Sequence, residues 1–175
     1  MDKERETIYY LIRGKLVGRR AWEDGHVRDC LFRDGRWEPD DHALIMGHLL
    51  GFDPYEPEGS PYRFGCLDRM DEIERIPEKQ ASERVNGQVL ANLRVLWKEK
   101  FRERKTAWDA APGWPSKLVK TECLLNGLPV EIWPEDIGVT SDCWDQGFME
   151  TVQNEVEADL AAAGATKIYS FGYID

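Results

Sequence analysis

The sequence predicts an α+β protein of two small modules, an antiparallel β-rich N-terminal module with a helix and a ββαβ C-terminal module, joined by a long helix. Three observations predict it. Gly14, Gly25 and Gly35 punctuate residues 1–40 at strand-length intervals, as the turns of an antiparallel meander do. No proline occurs between Pro77 and Pro112, and apolar residues recur there at every fourth position. Asn126-Gly127 stands between two apolar runs and readily supplies the positive backbone angles of a two-residue hairpin turn. The expected boundaries are residues 1–76, 77–110 and 111–175.

In the first module, Thr7 to Ile12 reads as a strand, Gly14-Lys15 as its turn, and Leu16 to Trp22 as the returning strand before Glu23-Asp24-Gly25 turns the chain again. His26 to Phe32 follows with apolar residues on both faces, so its inner face is ambiguous. Asp34-Gly35 then returns the chain through Arg36-Trp37. Pro39-Asp40-Asp41 marks a helix start, because an aspartate can accept the unpaired amides of a first turn. Leu44, Ile45, His48 and Leu49 share one side of that helix, and Gly51 supplies its left-handed end. His48 is expected to be a packed histidine and not a ligand.

Phe52 to Phe64 contains Pro54, Pro57, Gly59 and Pro61 and is a loop by composition. Its Tyr55 and Tyr62 are expected to pin the loop onto its own module in preference to forming a recognition surface. The spacing of Ile73 and Ile76 fits a helix better than a strand, with a short strand feeding the next helix as the alternative.

Pro77 suits a first helical turn. Beyond it Ala81, Val85, Val89, Leu93 and Trp97 form a stripe, joined by Leu90, Leu96 and Phe101, and Ala110 to Pro115 breaks the helix at the module boundary. In the hairpin of the last module, Cys123 is expected opposite Val130, Thr121 opposite Ile132, and Glu122 opposite Glu131. That last pairing is unfavourable unless a lysine or arginine separates the charges. Thr140 or Ser141 caps the next helix, whose stripe is Trp144, Phe148, Val152, Val156 and Leu160. Gly164 terminates it, and Lys167 to Tyr173 closes the sheet.

The chain carries 23 basic and 33 acidic side chains, a net charge of −10. The imbalance is uneven: 13 basic against 18 acidic in residues 1–80, 7 against 4 in 81–110, and 3 against 11 in 111–175. A surface of this sign repels nucleic-acid phosphates and attracts basic proteins. The charged start of the chain and its brief first apolar run do not read as a signal peptide, and no window approaches the roughly 18 apolar residues of a membrane span, so a cytoplasmic location is expected.

No enzyme signature stands out. Cys30, Cys66, Cys123 and Cys143 are far apart and are expected as free thiols; a zinc site using Cys30, Cys66 and His26, His42 or His48 lacks a Cys-x-x-Cys knuckle. Cys143, after Ser141-Asp142 at a helix start, is the best candidate for a reactive thiol, yet every histidine precedes residue 49. There is no phosphate-cradling glycine loop and no dinucleotide fingerprint, so no cofactor is expected.

The leading candidate surface lies on the long helix. Arg94, Lys98, Arg102 and Lys105 fall within about 80 degrees of one another around its axis, beside Trp97 and Phe101. These residues are the candidate binding set, because arginine beside aromatic side chains makes a good protein anchor. The competing reading places the same helix against the acidic C-terminal module, with the stripe neutralised internally. The expected function is that of a small acidic protein-protein interaction protein: a regulator, inhibitor or adaptor, with imitation of nucleic acid by its carboxylates, toward a nucleic-acid-binding protein, as a special case. A small enzyme with a dispersed carboxylate or Cys143-centred site is the first alternative, and a structural component of a larger assembly the second.

Overall fold

A computed structural model describes residues 6–108, 115–138 and 144–174, with side chains placed outside 103–119, 144–146 and 173–174. The fold is α+β, and the chain divides into two compact units, Met1–Val85 and Asn86–Asp175.

The first unit is a five-stranded antiparallel sheet in the order β4-β3-β2-β1-β5: β1 is Ile8–Ile12, β2 Leu16–Glu23, β3 His26–Arg33, β4 Arg36–Pro39 and β5 Ile73–Ile76. The glycine turns fall where the sequence places them, with Gly14, Gly25 and Gly35 at positive φ. Residues 73–76 are a strand and not the helix their spacing suggested. Ile73 pairs with Ile12 and Ile76 with Tyr9, and a three-residue separation sends the two isoleucines to opposite sheet faces. Both faces are apolar at this point. On one, Tyr10, Ile12 and Leu31 form a core with Ile45 of the short helix α1 (Leu44–Leu49). On the other, Phe32, Tyr9 and Trp37 are in ring contact, and the Arg19 guanidinium lies 4.4 Å over the Trp37 ring. This explains the ambiguous pattern of His26 to Phe32: Leu31 and Phe32 point in opposite directions and both are buried.

Asp40 caps α1 as expected, its carboxylate accepting the Leu44 and Ile45 amides at 2.8 and 2.9 Å. Gly18 lets the helix approach the sheet, since a Cβ there would lie 2.9 Å from Ile45 Cδ1. His48 is buried, with Nδ1 2.9 Å from the Leu44 carbonyl oxygen and Nε2 3.0 Å from Glu72. A second short helix, α2 (Leu67–Met70), leads into β5.

The long helix α3 (Glu78–Trp108) contributes to both units. Its Ala81 and Val85 are buried in the first, whereas Leu90, Trp97 and Phe101 join the core of the second. Residues 109–114, which hold most of the expected Ala110–Pro115 boundary, lie outside the described residues.

In the second unit β6 (Pro115–Leu125) is central. It pairs antiparallel with β9 (Thr166–Ile174) along one side, and with β7 (Leu128–Ile132) and the two-residue β8 (Trp144–Asp145) along the other. The hairpin has the expected register, Cys123 to Val130, Thr121 to Ile132 and Glu122 to Glu131, with Asn126 and Gly127 both at positive φ. A buried contact that the sequence did not announce holds it: Asn86 of α3 donates to the Leu125 carbonyl at 2.8 Å and accepts from Asn126 at 2.9 Å. Helix α4 (Gln146–Ala162) buries Phe148, Val152, Val156 and Leu160 against the face that carries Cys123, Leu125 and Ile132. Trp144, expected at the head of that stripe, instead lies in β8 opposite Ser116, and the proposed caps Thr140 and Ser141 lie outside the described residues. Among the described residues no helix is long and apolar enough to cross a membrane.

Candidate interaction surfaces

The stripe on α3 is divided by packing. Trp97 and Phe101 are 0% exposed, and the Trp97 indole N–H donates to Asp159 of α4 at 2.8 Å. They are core residues, so the aromatic edge expected to face a partner instead faces α4 and the sheet. Arg94 pairs with Asp136 at 3.3 Å, and Lys100, outside the expected stripe, pairs with Glu155 at 3.1 Å. The acidic end of the chain therefore takes up part of the helix's positive charge within its own unit. Lys98 is exposed; with Arg102, Val95, Glu99 and Gly138 it lines a shallow hollow of about 380 Å³. The Lys105 side chain lies outside the described set. Leu96, read as part of the apolar face, is exposed together with Val95.

A different part of the molecule presents the apolar surface. The loop between α1 and α2 exposes Tyr55 (90%), Tyr62 (75%) and Phe64 (59%), flanked by Leu50 and, on α2, by Leu67 (71%) and Met70. Exposed aromatic side chains on a loose chain would mean little, but this loop is braced. Its ends are closed by Gly65 N–H to the Leu50 carbonyl and Cys66 N–H to the Gly51 carbonyl, each 2.9 Å, and its middle by Asp53 N–H to the Arg63 carbonyl at 2.8 Å. Side chains add to this frame: Asp53 accepts the Tyr55 amide at 2.9 Å, and the Ser60 hydroxyl donates to Glu56 at 3.0 Å. A compact loop whose ends meet and whose own side chains pack it is an Ω-loop. The residue that anchors it is Phe52, which contacts Phe64 at 5.4 Å between ring centroids and lies under the Arg63 guanidinium at 4.8 Å. Tyr55 and Tyr62, expected to do this, do not: both are exposed, whereas Phe52 is half-buried.

No known protein family, curated protein or solved structure matches the chain.

The hairpin supplies a third feature. The lysine that the facing carboxylates call for is Lys120, whose ammonium donates to Glu122 at 2.6 Å and Glu131 at 3.1 Å and lies 5.4 Å over the Trp133 ring and 5.9 Å over the Phe171 ring. Glu122 and then Glu131 hold this ammonium above the usual lysine range.

The thiols and histidines assemble nothing comparable. Among the described residues no group of three or more His, Cys, Asp or Glu is placed to hold a metal ion. Cys30 and Cys66 are half-buried free thiols, burial pushes the Cys123 thiol up, and Cys143 lies outside the described residues. His48 belongs to a structural bridge. The Glu72 carboxylate accepts from Arg13 Nε–H at 3.1 Å, and that bond, reinforced by His48, holds Glu72 below the usual carboxylate range. A carboxylate depressed in the folded state stabilises it above the ordinary carboxylate range and loses that contribution as acid protonates it. Unfolding midpoints in urea, measured between about pH 3 and 7, should thus fall less steeply toward acid in Glu72→Gln than in the parent.

Proposed function

We propose that this is a protein-interaction module whose principal contact is the Ω-loop between α1 and α2 together with the start of α2, with an apolar pocket on the partner receiving Tyr55, Tyr62 and Leu67. One observation carries this: large apolar side chains stand in solvent on a backbone that its own hydrogen bonds hold in shape. Exposing such groups forgoes their burial, about 1.5–3 kcal/mol for each fully buried side chain of this size, and a partner that covers them recovers it. Bracing helps as well, because a loop already ordered loses less conformational entropy on binding. Contiguous exposed apolar surface rimmed by polar residues is the usual mark of an interaction site, and tyrosine is among the residues that dominate interface energetics.

The surroundings of the loop indicate the sign of the partner. Residues 50–71 carry Asp53, Glu56, Glu58, Asp68 and Asp71 against Arg63 and Arg69, and Arg63 is already engaged with Phe52. A basic rim around an apolar pocket is complementary, in keeping with an acidic regulator, inhibitor or adaptor. The reading moves the contact away from Trp97 and Phe101 and leaves Lys98 and Arg102 at most a peripheral part in it.

The test is a triple variant, Tyr55→Ala, Tyr62→Ala and Leu67→Ser, compared with the parent chain in quantitative affinity capture from the source cells. Three central anchors at about 1–2 kcal/mol each predict a loss of partner affinity of more than about a hundredfold. The unfolding midpoint should stay unchanged, since these side chains are exposed in the free protein. Capture of the same partners with equal strength would remove the loop from consideration.

A further inference from the structure

The second unit has a sheet face that neither helix covers. Thr121, Cys123, Leu125 and Ile132 point toward α3 and α4, so the alternate positions of the same strands point away. Those positions hold Lys120 and Glu122 on β6, Glu131 on β7 with Trp133 just beyond its end, and Tyr169 and Phe171 on β9. Trp133, Tyr169 and Phe171 are all exposed.

We infer that this open face is a second binding surface, and that its ligand is an arginine-rich segment of a protein. The face already shows what it accommodates. Lys120 places a cation between two carboxylates and against two aromatic rings, the arrangement a guanidinium from outside would seek. One ammonium facing two carboxylates leaves the cluster one negative charge in excess. Both carboxylates remain 40% or more exposed, against 23% for Lys120, so their outer oxygens are open to a further donor. Arginine suits the site better than lysine: a planar guanidinium stacks on aromatic faces and donates two parallel bonds to a carboxylate. The same carboxylates repel phosphate, which sets this face apart from aromatic sheets that stack nucleic-acid bases.

Lys120 then acts as an internal competitor for the position, and this gives the inference an unusual sign. Replacing Lys120 by methionine removes the competing cation while keeping much of the aliphatic volume, so an external arginine should bind more tightly. If Lys120 served only to hold the hairpin together, the same change would let Glu122 and Glu131 repel each other and would weaken anything bound there.

The experiment is fluorescence anisotropy of a labelled arginine-serine repeat peptide titrated with the full chain at physiological salt. The matched controls are the same peptide with citrulline in place of arginine, and a single-stranded oligonucleotide. A protein of net charge −10 attracts any polycation, so each variant at the face is paired with a variant of equal charge change in the other unit: Lys120→Met with Lys79→Met, and Glu131→Gln with Glu83→Gln. The expected result is about tenfold weaker binding in Glu131→Gln and in Trp133→Ala, and binding several-fold tighter in Lys120→Met than in Lys79→Met. Trp133 is solvent-exposed, so Trp133→Ala keeps the test decisive should a charge variant disturb the hairpin, which circular dichroism would reveal. Equal effects within each pair, tighter binding of the oligonucleotide or the citrulline peptide, or weaker binding in Lys120→Met would each overturn the inference. None of these outcomes bears on the Ω-loop, whose residues are untouched.

Discussion

Trp97→Ala is expected to destabilise the second unit by about 3–5 kcal/mol, while Lys98→Ala, its neighbour in sequence, stays within about 0.5 kcal/mol of the parent. Trp97 is fully buried among Leu90, Phe101, Phe148, Val152 and Leu160 in one core, so alanine loses the transfer free energy of the indole and leaves a cavity that helix and sheet can only partly close. It also removes the donor to Asp159, whose partly exposed carboxylate can turn to water, making that loss the smaller part. Trp97→Phe separates the two contributions, with a smaller cost of about 1–2 kcal/mol expected. Urea unfolding combined with amide hydrogen exchange is the suitable measurement, because exchange localises the loss to residues 86–174. The same series decides between the two readings of the stripe on α3. A partner anchor would leave stability unchanged on truncation and lose binding, whereas a core residue loses stability first.

The second large effect is expected at Gly51, where a change not on the binding surface should remove that surface. Gly51 has φ of +62°, and a Cβ there would lie 2.6 Å from both the backbone nitrogen and the carbonyl oxygen of Cys66. Those atoms belong to the residue whose amide donates to the Gly51 carbonyl and helps close the Ω-loop. Alanine therefore meets two penalties: a left-handed conformation costing about 1–2 kcal/mol and a contact with backbone that cannot swing aside. The expected result is local. Amides of Asp53, Gly65 and Cys66 should exchange faster, and partner capture should fall about as far as in the triple loop variant. Gly59→Ala is the control, for it also has positive φ but its Cβ would meet nothing within 4 Å. Its strain alone should cost about 1 kcal/mol and leave the loop closed. Full partner capture by Gly51→Ala, despite an opened loop, would show that bracing contributes nothing to recognition.

Most of the fold was legible because its signals are local. Asn126-Gly127 determines its turn by backbone geometry, and a two-residue turn fixes the register on either side, so the pairing of Glu122 with Glu131 and the need for a cation between them follow from a short stretch of sequence. Asp40 and the stripe of α4 are legible for the same reason. Residues 73–76 are open between helix and strand in the sequence because a three-residue apolar spacing satisfies a helix face, or a strand buried on both sides, and only the pairing with β1 distinguishes them.

The candidate sites were less legible, for one physical reason seen twice. Four-residue spacing identified the apolar side of α3, yet Trp97 and Phe101 also border the basic stripe, and only the position of α4 and the sheet decides that this border is inside. In the Ω-loop the difference runs the other way: composition marks Tyr55 and Tyr62 as notable, but which aromatic meets the rest of the loop depends on how the loop closes, and it is Phe52 that contacts Phe64 and Arg63 while the two tyrosines are exposed.

By itself, then, the sequence determined the α+β fold, the hairpin and its register, the Asp40 cap of α1 and the uneven charge, all consequences of neighbours within a few residues or of composition. Only the tertiary structure decided which aromatic residues are core and which are surface. Burial is a relation between segments distant in sequence, and residue type sets how strongly a side chain gains from being covered without saying what covers it.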